Sequence, residues 1–170
     1  MTNNNHSSAD NISSTLNLPI WKQPEVIRWS QIMAASYQQI LGDKLIEPDY
    51  KPSELAKTLF YAPFVLVSHN NQAEPIYNYA NQTALQLWSL SWEQFTETPS
   101  AATTEPDARS DRQKMLQQAQ ERGYIDNYQG IRIASTGKKF MIEQVKLWNL
   151  TDESEKKCGQ AATFAHWTWL

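Results

Sequence analysis

The chain has 170 residues, 41% hydrophobic and 19% charged, and its length predicts one domain that needs no disulfide or metal staple. A net charge of −3 argues against nucleic acid or an anionic membrane as main partner, because phosphate binding rests on a positive field. One cysteine, Cys158, and three histidines, His6, His69 and His166, provide neither a disulfide framework nor a zinc spacing.

The start, MTNNNHSSADNISSTLN, lacks the basic and apolar regions of a secretory signal. No run reaches the roughly 18 apolar residues of a membrane span, so a soluble cytoplasmic protein is expected. Residues 1–17 are polar and read as a disordered tail. Residues 18–52 read as an N-terminal helical extension and 53–170 as the main domain. In the extension Val26, Trp29, Met33, Tyr37, Ile40 and Leu41 recur at helical spacing, with Gly42 as a stop. That stripe either caps its own sheet or pairs with a second copy. Ser53 is the expected N-cap of a short helix closed by Pro63.

The period then changes. FVLVSH and PIYNYAN read as two strands of a hairpin. Asn81 is expected to cap a helix whose inner face is Ala84, Leu85 and Trp88. Ser91 to Gln94 has the form of a capping box for a helix with Trp92 and Phe95. A longer helix is expected from Thr104–Asp107 through Gln120, stopped by Gly123, with Met115, Leu116 and Ala119 inward. YIDNYQGIRIAST and KFMIEQVKLWNLTD form a hairpin about Thr136-Gly137, and CGQAATFAHWTW is the last strand. Strands interrupted by a helical block predict an α+β fold with an antiparallel sheet.

Catalytic sets are scarce. The glycines are scattered, with no phosphate loop. His166 with Asp126 or Glu143 is the one acid–base pair the strands allow, against the simpler reading of an ordinary strand histidine. His69 reads as a turn residue. Cys158, beside Lys156 and Lys157, reads as structural. The aromatic set carries more. Trp88, Trp92, Phe95, Tyr128, Phe140, Trp148 and Phe164 fall on elements that meet if the helical block crosses the sheet. They read either as packed core or, with Met115, Arg132, Gln144 and Thr163, as the wall of a small-ligand pocket. Small residues on the last strand (Gly159, Ala161, Ala162, Thr163, Ala165) permit close approach of a helix or a ligand.

Together YANQTALQLWSLSWEQF, EPDARSDRQKML and GKKFMIEQVKLWNLTDESEKKCGQAATF resemble a PAS-type sensor domain over Leu55 to Trp169. PFVLVSH, EPIYNYAN, LSWEQF, PSA, GYIDNYQGIRIASTGKKF, WNL and CGQAATFAHW are similar to the MEKHLA domain. That PAS-like domain occurs at the C-terminal end of plant class III homeodomain–leucine zipper proteins and as small stand-alone bacterial proteins. The resemblance implies a five-stranded antiparallel sheet with helices on one face. It also implies a non-enzymatic sensory or regulatory role through a small ligand or a partner.

The resemblance does not supply a cofactor. Haem-binding relatives use a His on the long helix, and residues 104–123 contain none. Photoactive flavin relatives need a Cys in the helical block, and the only Cys is on the last strand. Haem and cysteinyl-flavin types are therefore disfavoured. With no homeodomain or zipper, output is expected through a homodimer formed by the N-terminal helix or through a separate partner. The competing readings are a pure interaction module with a filled core, and a small cone-fold enzyme using the His166 pair.

Overall fold

The computed structural model describes residues 17–105 and 109–170. The expected tail falls on residues 1–16, and part of the expected start of the long helix on 106–108, both outside the described residues. After a 3-10 turn at Ile20–Lys22 come α1 (Pro24–Leu41), α2 (Pro52–Phe60), β1 (Val65–Asn70) and β2 (Tyr77–Ala80). Next are α3 (Gln82–Trp88), α4 (Trp92–Phe95), a 3-10 turn at Ser100–Thr103 and α5 (Arg109–Arg122). The remainder is β3 (Tyr124–Ile133), β4 (Lys139–Thr151), β5 (Lys157–Phe164) and β6 (His166–Trp169).

Local signals account for most boundaries. Gly42 ends α1 at φ 72° and donates to the Gln38 carbonyl at 3.0 Å. That left-handed position favours glycine because no Cβ clashes there. Ser91 and Gln94 make a reciprocal capping box on α4. Ser53 is not the cap of α2: the helix begins at Pro52, with Lys51 as N-cap. Proline at the first position brings a helical φ and no N–H to satisfy, which places Ser53 inside the first turn.

The sheet is antiparallel throughout, in the order β2-β1-β5-β4-β3, with β6 also on β4. β5 and β6 are two halves of the expected last strand. β4 pairs with β6 over Phe140–Glu143 and with β5 over Lys146–Thr151. Between those stretches Gln144 has φ 53°, and β4 carries one extra residue against β3. This bulge changes which residues face inward. Before it Phe140 and Ile142 point to the helical block; after it Val145 does, and Trp148 and Leu150 point the other way.

Both faces of the sheet are covered. The inner cluster joins Val65, Val67, Ile142, Val145 and Phe164 to Trp88 of α3 and Phe95 of α4. The outer cluster joins Leu66, Trp148 and Leu150 to Val26, Met33 and Tyr37 of α1 and Leu59 of α2. Polar contacts fix α1 in place. Trp148 Nε1 donates to the Met33 carbonyl at 3.2 Å, and Trp29 Nε1 donates to Ser68 Oγ at 2.7 Å. Arg28 makes a two-pronged pair with Glu153, each bond 2.9 Å. The apolar stripe of α1 is thus used within the chain, and pairing through it would require the helix to leave its sheet.

Gly159 explains part of the small-residue run. A Cβ there would lie 2.2 Å from the His69 carbonyl oxygen of β1. The glycine admits a neighbouring strand rather than a helix or ligand. Gly159→Ala is expected to cost about 1–3 kcal/mol, as overpacking against fixed backbone does. Urea denaturation checks it; an unchanged midpoint would show that β1 shifts freely.

Candidate functional site

Three alternate positions share one face of β3: Tyr128, Gly130 and Arg132. Arg132 is 8% exposed, so its guanidinium is essentially buried. It donates to the Ile131 carbonyl at 3.0 Å and to the Tyr128 hydroxyl at 3.3 Å, and lies over the Tyr128 ring at 5.6 Å. Gly130 makes this possible. A Cβ there would sit 2.4 Å from the Tyr128 hydroxyl and 3.0 Å from an Arg132 nitrogen. Among the described residues no carboxylate pairs with Arg132.

Arg132 and Tyr128 line a partly enclosed cavity of about 50 Å³ between the sheet and α5. Trp88 forms another wall, Met115 and Leu116 of α5 another, and Val67, Ile142, Ala162 and Phe164 line it from the sheet. Trp88 is 1% exposed, packs edge-on against Phe140 and Phe95 at 5.2 and 5.7 Å, and its indole N–H has no partner among the described residues. Thr104, bridged to Arg132 through the backbone, has a buried hydroxyl in the same condition.

Of the eleven expected wall residues, Trp88, Met115, Tyr128, Arg132 and Phe164 meet at this cavity. Phe95 and Phe140 are fully buried behind Trp88 as core. Trp92 turns to the outer cluster and meets Tyr79 edge-on at 5.7 Å. Trp148 lies under α1, on the opposite sheet face, because of the Gln144 bulge. Gln144 itself is exposed. Thr163 pairs across β4 with Lys146 and donates to the Val65 carbonyl at 2.8 Å, away from the cavity. The expected capping residue, Asn81, accepts from Ala84 N at 3.1 Å at the start of α3.

The structure adds residues that periodicity could not mark. His69 and Gln160 line the cavity, and with Leu116 they also line an open groove between α5 and the β1–β2 turn. Gln160 Nε2 donates to Asn149 Oδ1 at 2.9 Å, and Asn149 Nδ2 donates to the Ala119 carbonyl of α5 at 3.0 Å. A polar relay therefore runs from the cavity wall to the helix that covers it. Only the adjacency of β4 and β5 brings it together, so no sequence signal could have found it.

The remaining chemical candidates lie elsewhere. His166 and Glu143 are exposed cross-strand partners, and Asp126 is exposed on β3; none lines the cavity. Cys158 is half-buried beside the outer cluster, where burial and nearby Asp152 push its thiol up. A protonated thiol is a poor nucleophile. Burial also lowers the Lys157 ammonium beside it. Among the described residues no cluster of His, Cys, Asp and Glu could hold a metal, and no helix is long and apolar enough to cross a membrane.

Comparison with known proteins agrees with this geometry. The MEKHLA domain model matches residues 27–169, which takes in α1 as well as the sheet. No curated protein matches the chain. Among solved structures, a PAS domain from Colwellia psychrerythraea is similar at 17% identity and TM-score 0.57, over 65% of this chain and 91% of that one. A light-oxygen-voltage domain studied with a flavin analogue is similar at 17% identity and TM-score 0.54, over 72% and 86% of the two chains. A cysteine-to-valine variant of the fungal photoreceptor VVD is similar at 13% identity and TM-score 0.54, over 79% and 93%. Such identities carry the fold alone. The cavity does not fit a flavin: about 50 Å³ is far below the ~300 Å³ at which pockets begin to hold such ligands. Trp88 and Phe140 also fill the space beside it.

Proposed function

This chain belongs to the MEKHLA domain family, and from that premise we propose that it is a non-catalytic sensory module whose inner cavity binds a small molecule. The observation that supports the reading is the cavity itself, walled by Trp88, Arg132 and Met115 and covered by α5. α5 is suited to report occupancy. Its inward apolar residues are few, Met115 and Leu116 are only half-buried, and Asn149 ties its C-terminal end to the sheet. Elements with few buried apolar contacts open at low free energy. A ligand that prefers one docking of α5 shifts the population toward it, and the Gln160–Asn149 relay carries that preference to Ala119. Output then passes to a separate partner in a cytoplasmic setting.

The test uses soluble alcohols, amides and carboxylates of up to six non-hydrogen atoms, with hydrogen exchange and the Trp88 indole resonance as readouts. At least one is expected to bind saturably and slow exchange in Met115–Gln120. If none binds, the ligand reading fails. The interaction module then stands, a reading favoured by the smallness of the cavity and by exposed Trp169 and Leu170. That module requires a partner or a dimer detectable by sedimentation.

A further inference from the structure

We infer that the cavity takes a small organic anion, a carboxylate of about four non-hydrogen atoms, with Arg132 as its counter-charge; this rests on the ligand-binding reading above. A guanidinium has five N–H donors and is always charged. Among the described residues two of them are used, on the Ile131 carbonyl and the Tyr128 hydroxyl, both neutral groups. A buried cation is costly unless paired, and among the described residues no carboxylate pairs with this one. Trp88, another wall of the cavity, has a buried indole N–H that no described residue accepts. Arg132 therefore keeps donor capacity at the cavity, and an acceptor-rich anion satisfies it.

Size narrows the class. About 50 Å³ holds roughly three to five waters, the bulk of acetate or propionate. Val67, Ile142, Ala162 and Phe164 present an apolar wall suited to the alkyl end. Gly130 leaves the guanidinium and the Tyr128 hydroxyl their shared space, so the donor pair is built into the strand.

The experiment titrates the full chain with acetate, propionate, acetamide and isopropanol to ~10 mM, following the Trp88 indole N–H resonance. A ligand this small reaches a Kd of about 40 µM at best. Acetate or propionate is expected to bind at least tenfold more tightly than acetamide. Arg132→Met is expected to weaken the anion by about 10- to 100-fold, with partial rescue in Arg132→Lys. Should Arg132→Met fail to fold, Tyr128→Phe serves: it removes one donor while keeping the ring, and is expected to weaken the anion several-fold and leave isopropanol unchanged. Equal binding of acetate and acetamide overturns the anion assignment and leaves the ligand reading intact. So does binding of isopropanol alone. If none of the four binds, the anion assignment falls, and the wider panel decides the ligand reading separately.

Discussion

Asn81→Ala is expected to lower the folding free energy by about 4 kcal/mol, among the largest losses available from one polar side chain in this chain. The amide is completely buried and completely used. Its Oδ1 accepts from Leu66 N and Ala84 N, both at 3.1 Å. Its Nδ2 donates to the Leu59 carbonyl at 3.1 Å and the Phe64 carbonyl at 2.8 Å. One side chain therefore joins the end of α2, the start of β1 and the first turn of α3. Alanine removes four hydrogen bonds from backbone groups; the Leu59 carbonyl keeps the Ala62 N–H at 3.4 Å, and each of the others left unpaired costs about 1–3 kcal/mol before water or relaxation recovers part of it. Against a typical total of about 5–15 kcal/mol, that is a large fraction. Asn81→Asp should do no better, because a carboxylate sets oxygen against two carbonyl oxygens. Urea denaturation with an unchanged slope would give the number. A loss under about 1.5 kcal/mol would mean the four groups find other partners.

Trp88→Ala is expected to cost about 3–5 kcal/mol, the usual range for emptying a buried tryptophan site. Its ring meets Phe140 at 5.2 Å, Phe95 at 5.7 Å, Phe164 at 6.3 Å and Tyr77 at 6.5 Å. Removing it takes away the centre of the inner cluster and enlarges the cavity. The discriminating comparison is with phenylalanine. Among the described residues Trp88 makes no indole hydrogen bond, whereas Trp148 donates to the Met33 carbonyl. Trp88→Phe should thus be milder than Trp148→Phe, by about 1 kcal/mol, the net worth of one such bond plus the orphaned carbonyl. Equal losses for the two phenylalanine variants would show that ring volume alone sets the cost. Thermal denaturation of the three variants settles the ranking.

Much of the fold was legible because its signals are local. Asn81, the Ser91–Gln94 box, Gly42 and Gly123 each announce a boundary by side-chain chemistry or by tolerance of positive φ. The α+β class followed from the switch in hydrophobic period. Ser53 misled because two start signals stood side by side and proline took the first position. The site was harder. Counting by twos along β4 places Phe140 and Trp148 on one face, and it fails at Gln144, where a non-glycine residue adopts a positive φ that nothing in its identity announces. Trp92 sits on so short a helix that four residues cannot define a face. Arg132 could be named from its place in an apolar strand, but that no carboxylate pairs with it among the described residues is a three-dimensional fact. His69 and Gln160 reach the cavity only through the β1–β5 pairing.

That pairing has a bearing on how the chain is made. β5 lies between β1 and β4, yet it follows both in sequence. β1 and β2 can meet early as one hairpin, and β3 and β4 later as another, but they share no edge until residues 157–164 arrive. Joining Val65 to Phe164 closes a loop of roughly one hundred residues, the kind of long-range contact that slows folding. Until then each hairpin presents an open strand edge and half a greasy face, and a ribosome-bound chain must keep both from other proteins. The strand whose glycine fits so closely against His69 is thus a keystone, set in place only after the two halves of the arch it joins are already standing.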